Sequence, residues 1–142
     1  MRKLILMLAA TLMLAISSVC SASAGKLLDN EMEIVDKFVS ATNYKAVEMY
    51  LTPEFKKDFT EESFNNFRKI NDNNFGAISS KTLRYITKLD DADILEYQTA
   101  FVKVPHAVYI FAFAIEKEKP LIRDFSIQLP KAAAPAPAPA SK

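Results

Sequence analysis

Apolar residues in the first half of the chain recur at three- and four-residue steps, the spacing of amphipathic helices. Helix start signals divide this half: Asn43 resembles an N-cap, Thr52-Pro53 places proline at a first helical position, and Thr60 precedes two acids. Gly76 is expected to end the last helix with a positive φ. The pattern predicts helices over 26–41, 44–51, 52–59 and 60–73. The buried side of the last helix is expected to carry Phe64, Phe67 and Ile70.

After Gly76 the hydrophobic period changes from 3.6 to 2, the alternation of β-strands. Alternating strands are predicted over 82–89, 95–102 and 121–129. The stretch 107–115 is apolar throughout, which is typical of a central strand covered on both faces. The connections are short, so consecutive strands should pair antiparallel. The predicted class is α+β, with N-terminal helices packed on one face of a curved four-stranded antiparallel meander.

The alternation assigns strand side chains to a covered face, under the helices, and an open face. The covered face is expected to hold Tyr85, Tyr97, Thr99, Phe101, Tyr109, Phe111, Phe113, Phe125 and Ile127. The open face is expected to hold Ile86, Ala100, Val102, Ile110, Ala112, Ala114 and Ile122, mixed with Glu96, Gln98 and Ser126. Such a face is too apolar to be well solvated, and small side chains let two sheets approach to about 10 Å. The candidate homodimer face is therefore Ala100, Val102, Ile110, Ala112 and Ala114.

The first 24 residues follow a different pattern, in which Arg2-Lys3 precedes an apolar run over 4–16 and a small, polar stretch ending at Ala24. This order predicts a secretory signal peptide cleaved after Ala24, and hence a bacterial periplasmic or extracellular location. A membrane anchor is the alternative, but the apolar run is shorter than the roughly 20 residues that span a bilayer. Lipid attachment at Cys20 is a second alternative, disfavoured because Ser17 stands where lipoprotein signals usually have leucine.

Cleavage changes the charge and the cysteine count. Removing Arg2 and Lys3 from the 18 basic residues leaves 16 against 17 acidic ones, a net charge of −1. Such a balance argues against nucleic acid as a partner and provides no polybasic membrane patch. The only cysteine, Cys20, leaves with the signal, so no disulfide or thiol chemistry is expected. The predicted organisation is a signal peptide (1–24), one domain (25–130) and a disordered Ala/Pro-rich tail (131–142).

Helices followed by an antiparallel sheet resemble the NTF2-like, or cystatin-like, superfamily, and in particular its small secreted bacterial families of unknown function. The resembling stretches are Glu33-Ile34-Val35-Asp36-Lys37-Phe38-Val39, Tyr44-Lys45-Ala46-Val47, Leu51-Thr52-Pro53-Glu54-Phe55-Lys56 and Phe75-Gly76-Ala77-Ile78, completed by the strands from Ile94 and Val108. The resemblance implies a cone-shaped cavity between helices and sheet. In some members that cavity is the active site of a dehydratase or isomerase, and others only bind ligands or dimerise through the open sheet face.

On that resemblance, the candidate cavity-lining residues are Tyr85, Tyr97, Thr99, Tyr109 and Arg123. The hydroxyl groups either line a pocket or bond to backbone inside a packed core. Arg123 either contacts an anion at the cavity mouth or extends to solvent at a strand end. No catalytic motif of an enzymatic branch can be matched, so no catalytic residue is assigned.

Other chemistry finds little support in the sequence. His106 is the only histidine and is expected in an exposed turn, so it makes neither a zinc site nor a Ser-His-Asp triad. The acidic turn Asp90-Asp91-Ala92-Asp93 lacks the glycine and the terminal glutamate of a calcium loop. The two mature glycines cannot form a phosphate-binding loop. We therefore expect no metal and no cofactor.

Three functions remain open. The favoured hypothesis is an exported, non-enzymatic protein that binds a small apolar ligand or a second copy of itself. The alternatives are a small dehydratase or isomerase, which needs an acid or base inside the cavity, and an envelope-associated structural protein that uses its tail.

Overall fold

The computed structural model describes residues 25–116 and 119–130. Helix α1 occupies 25–40, and α2 (Lys45–Glu48), α3 (Pro53–Asp58) and α4 (Glu61–Asn74) follow it. Strands β1 (Ile78–Lys88), β2 (Asp93–Phe101), β3 (Ala107–Glu116) and β4 (Lys119–Gln128) form one antiparallel sheet in sequence order. The predicted α+β meander is confirmed. The expected signal peptide (1–24) and tail (131–142) lie outside the described residues.

The predicted helix signals act as side-chain caps. Asn43 Oδ1 accepts the Ala46 N–H at 3.1 Å, Thr52 Oγ1 accepts the Phe55 N–H at 3.2 Å, and Thr60 Oγ1 accepts the Ser63 N–H at 3.3 Å. Each bond satisfies an amide that a helix start leaves without an intrahelical partner. Gly76 ends α4 at φ +77°, and its N–H donates to the Asn71 carbonyl at 3.0 Å. A positive φ is strained for any residue with a Cβ, which is why glycine stands there.

The core is a cluster of phenylalanine rings between the helices and the covered face of the sheet. Phe38 of α1 lies 4.8 Å from Phe125 and 5.6 Å from Phe111, measured between ring centroids. Phe59 and Phe67 reach the same Phe125 ring at 5.2 and 5.0 Å. Edge-to-face and tilted pairs at these separations add to the free energy gained by burying apolar area. This packing stabilises α1 and α4 against the sheet.

A β-bulge in β1 corrects two predicted face assignments. The register shifts between Leu83, which pairs with Tyr97, and Tyr85, which pairs with Glu96. Tyr85 therefore lies on the open face and is 66 % exposed, so its predicted place on the covered face is wrong. Ile86 was predicted on the open face but lies on the covered face, because it pairs with the buried Leu95. One extra residue reverses the facing of everything beyond it.

A second bulge, in β4, corrects the prediction for Ile122 and Arg123. The register shifts where Ala112 pairs with Asp124 and the next pair joins Phe113 to Ile122. Ile122 is consequently fully buried in the core instead of lying on the open face, and Arg123 is the extra residue of the bulge. The backbone of Ile122 also bonds to the α2–α3 connection, accepting from Thr52 N–H at 2.9 Å and donating to the Tyr50 carbonyl at 2.7 Å. This segment covers part of the outer edge of β4.

Two further predicted positions, Ile70 and Val102, differ from the structure. Ile70 of α4 is 56 % exposed, so its prediction as buried is wrong, and Asn71 takes the buried position at the end of that helix face. Val102, predicted on the open face of a strand, lies one residue beyond β2 and is 72 % exposed. Among the described residues, no helix combines the length and the apolar character needed to cross a bilayer.

Replacing Phe38 by alanine should lower the free energy of unfolding by about 3–5 kcal/mol, because the ring is buried among several aromatic neighbours. The exposed apolar residue Leu89 provides the matched control, and Leu89→Ala should change stability by less than about 0.5 kcal/mol. Urea denaturation of the purified protein measures both. Equal losses for the two variants would contradict the assignment of the core.

Candidate functional site

A cavity of about 300 Å³ lies between the end of α1, the second half of α4 and the covered face of the sheet. Its apolar part is made by rings and aliphatic groups from all three elements, and its polar part comes mainly from α4. At about 30 Å³ of liquid volume per water-sized group, it has room for about ten non-hydrogen atoms. The lining residues are Phe38, Val39, Ser40, Phe67, Arg68, Asn71, Asp72, Gly76, Ala77, Ile78 and Tyr109.

Arg68 brings a positive charge to the cavity wall. It lies on α4 next to the core residue Phe67, and its Nη1 donates to the Val39 carbonyl of α1 at 3.2 Å. That bond uses one of five guanidinium donors and holds the group between the two helices. No ion pair found within 25–116 and 119–130 includes Arg68. The remaining donors are available to an acceptor in the cavity.

Tyr109 of β3 forms the sheet side of the cavity. Its side chain is almost completely buried, and burial raises the pKa of its phenol while the nearby Arg68 charge opposes that rise. The phenol therefore stays protonated at physiological pH and can donate a hydrogen bond. Its predicted place at a cavity wall agrees with this position.

Asn71 supplies a buried acceptor to the same cavity. The residue is 7 % exposed, and its Oδ1 atom has no hydrogen-bond partner among the residues that the structure describes. A buried polar atom without a partner costs about 1–3 kcal/mol. This Oδ1 atom has almost no accessible surface, so it bonds to a ligand donor only after the side chain moves. Asp72, the next residue, lines the cavity from an exposed position.

The turn between β2 and β3 fixes the end of α4 beside the cavity. Lys103 Nζ donates to the Asn73 carbonyl at 2.6 Å, and the Lys103 N–H donates to the Phe75 carbonyl at 2.9 Å. A cation at the C-terminal end of a helix also interacts favourably with the helix dipole. These two bonds hold the end of α4, which forms part of the cavity wall, against the β2–β3 turn.

Two predicted cavity residues, Tyr97 and Thr99, are buried on the covered face but do not line this cavity. Thr99 Oγ1 donates to the Tyr97 carbonyl at 3.4 Å, so this hydroxyl bonds to backbone inside the core. Burial raises the pKa of Tyr97 to about 12, with smaller effects of the Asp36 and Glu31 charges. Lys81 lies over the Tyr97 ring at 4.2 Å and pairs with Asp36 at 2.6 Å.

The other two predicted cavity residues, Tyr85 and Arg123, are displaced by the two bulges. Tyr85 lies on the open face, as described above. Arg123 lies at the opposite end of the sheet, where its Nη1 contacts Asp91 Oδ2 at 2.9 Å, and this pairing lowers the pKa of Asp91. Both partners are largely exposed, so the pair contributes little to stability. Of the two alternatives for Arg123, extension to solvent agrees with its exposed position, and an anion contact at the cavity mouth does not.

A buried pair of acids lies under the first half of α1, away from the cavity. Glu31 has no exposed surface, and neither of its carboxyl oxygens has a hydrogen-bond partner within the described part of the chain. Burial, together with the neighbouring Asp93 carboxylate, raises the pKa of Glu31 to about 8, and Lys88 opposes the rise. Asp93 is also buried and pairs with Lys88. The expectation that Asp90–Asp93 is only a solvated acidic turn is wrong for Asp93.

His106 is exposed in the β2–β3 turn, as predicted, next to a shallow concavity shared with Gln98 and Gln128. Within the described ranges, no group of three or more His, Cys, Asp and Glu side chains is arranged to hold a metal ion.

The chain has no match among protein-family models, curated proteins or solved structures. The site is therefore interpreted from its own geometry.

Sequence reasoning missed Arg68, Asn71 and Glu31. All three lie on helices whose apolar spacing was used only to find the core. Asn71 follows Phe64 and Phe67 at helical steps of three and four, so a polar residue on the buried face was the available signal. Glu31 similarly precedes the buried Val35 by four residues.

The raised pKa of Glu31 predicts that the free energy of unfolding falls as pH rises from 4.5 towards 8. The unfolded chain releases this proton near 4.5, whereas the folded protein keeps it until about 8, so rising pH favours unfolding between the two values. Glu31→Gln should flatten this part of the profile and be more stable than the natural protein at pH 8. Urea denaturation across this pH range measures the effect.

Glu33→Gln is the matched control, because Glu33 is exposed on the same helix and pairs with Lys37 at the surface. It should keep the slope of the natural protein. A natural profile that is flat or rises over this range would contradict a proton held at Glu31.

Proposed function

We propose that this chain is an exported binding protein with an NTF2-like domain, and that it takes a small, largely apolar ligand into the cavity between α1, α4 and β3. The signal-peptide pattern supports export to the bacterial periplasm or beyond. Helices on one face of a four-stranded meander, with a cavity between the layers, support the NTF2-like assignment.

The observation that carries the ligand proposal is the composition of the cavity wall. Rings of Phe38, Phe67 and Tyr109 lie beside the polar groups of Arg68 and Asn71. A concavity that combines apolar rings with a few convergent polar groups is the usual form of a small-molecule site. The accessible part of this wall is more polar than apolar, so the polar groups would orient a bound molecule between the rings.

Binding is favoured over the dehydratase or isomerase alternative by the positions of the buried acids. General acid–base catalysis needs a proton donor or acceptor within hydrogen-bond reach of the substrate. Glu31 has the perturbed pKa of such a group, yet neither it nor Asp93 is among the lining residues of the cavity. The acid that does line the cavity, Asp72, is exposed. The envelope-structural alternative depends on the Ala/Pro tail, which lies outside the described residues.

Native mass spectrometry of the protein purified from its own host should detect a retained small molecule. Ser40 lines the cavity, so Ser40→Phe should fill the space and abolish retention. Thr42→Phe is the matched control, since Thr42 is exposed nearby and does not line the cavity; it should retain the molecule. A bare mass for the natural protein, or equal retention by both variants, would contradict a ligand in this cavity.

We further propose that two copies pair through the open face of the sheet. Ala100, Ile110, Ala112 and Ala114 lie on this face as predicted and are only partly covered within one copy. Their neighbours Ile94 and Leu121 extend the apolar surface across three strands. Val102 lies beyond the end of β2, so it is at the edge of the proposed dimer face.

Light scattering coupled to size-exclusion chromatography should give the mass of a dimer for the natural protein. Ala112→Glu should give a monomer, because its carboxylate would be buried at the centre of the paired sheets beside Asp124, its cross-strand neighbour. Ala46→Glu, on the exposed side of α2, should remain dimeric. A natural protein that is monomeric at high concentration would refute the pairing.

A further inference from the structure

Two adjacent points of α4 in the cavity wall would attract ligand groups of opposite charge. Arg68 offers guanidinium donors and a positive charge, and Tyr109 offers a phenol proton beside it. These groups match a carboxylate, which accepts charge-assisted hydrogen bonds in a forked geometry.

One turn further along α4 the wall favours a hydrogen-bond donor or a positive charge on the ligand. Asp72 brings a negative charge to the same wall, and the buried side chain of Asn71 lies next to it. These two groups match a donor, and a cationic donor best. A ligand that satisfies both points carries a carboxylate and a donor a few ångströms apart.

The rest of the wall limits the remainder of the ligand. Phe38, Phe67 and Ile78 surround the space with rings and an aliphatic side chain. Room for about ten non-hydrogen atoms admits a single aromatic ring with a short polar end.

We infer that the ligand is a free α-amino acid with an aromatic or large apolar side chain, its carboxylate on Arg68 and Tyr109 and its ammonium group on Asn71 and Asp72. This inference rests on the proposed function and specifies its ligand class.

Isothermal titration calorimetry of the natural protein with four probes tests the inference without any substitution. L-Phenylalanine carries both charged groups, 3-phenylpropionate lacks the ammonium, 2-phenylethylamine lacks the carboxylate, and 3-phenyl-1-propanol lacks both. Phenylalanine should bind at least about tenfold more tightly than each of the others, since each lost charge-assisted contact costs that much or more. A fifth probe, 3-phenyllactate, replaces the ammonium by hydroxyl and should bind between phenylalanine and 3-phenylpropionate.

Two matched variants locate the contacts. Arg68→Met removes the charged contact and also the hydrogen bond to the Val39 carbonyl. It should weaken phenylalanine at least about tenfold more than it weakens 3-phenyl-1-propanol, because only phenylalanine loses a charge-assisted contact. Lys69→Met removes the neighbouring, exposed positive charge and should leave both probes unchanged. Circular dichroism checks that each variant is folded. If a variant does not fold, the four probes on the natural protein still test the inference.

Equal affinity for all the aromatic probes, or tighter binding of 3-phenyl-1-propanol than of phenylalanine, would overturn the amino-acid inference. The proposed binding function would survive that result, provided that Ser40→Phe abolishes the binding. A retained host molecule that lacks either charged group would also overturn the inference alone. If the natural protein retains no host molecule and binds none of the probes, both the amino-acid inference and the proposed binding function are wrong.

Discussion

The packing of Phe38 against the sheet is the contact on which the other features of this protein depend. The ring joins α1 to Phe111 and Phe125, with centroids 5.6 and 4.8 Å away. The same helix carries Glu31 into the core at one end and contributes the cavity wall over 38–40 at the other. With no cysteine among residues 25–142, burial of such rings is the main source of stability open to the domain.

Periodicity predicted the elements of the fold well and the facing of side chains less well. Apolar spacing and capping residues located the four helices, alternation located three of the strands, and a continuous apolar run located β3. The errors at Tyr85, Ile86, Ile122 and Arg123 all come from two bulges. A bulge inserts a residue without changing the composition of a strand, so alternation read along one strand cannot show it. Only the pairing with a neighbouring strand shows the shift.

The bulge in β1 also explains why the pairing of Lys88 was not foreseen. Without it, Lys88 would face solvent; with it, Lys88 lies opposite Asp93. Glu31 and the candidate ligand site were missed for a different reason. Their polar groups lie on helices whose apolar residues predict a core-facing side, and a polar residue within that side has no distinctive spacing. Tyr109 was placed on the covered face with Phe111, which occupies the next alternate position of β3, and no register shift falls between the two.

The bonds from the β2–β3 turn to the end of α4 give a surface loop influence over an interior space. Gly76 lies just beyond the end of α4, the helix that carries Arg68, and Lys103 bonds to that end from the β2–β3 turn. Neither residue belongs to the aromatic core. The breadth of the cavity can consequently respond to substitutions in the β2–β3 turn, which lie outside the aromatic rings that hold the layers together.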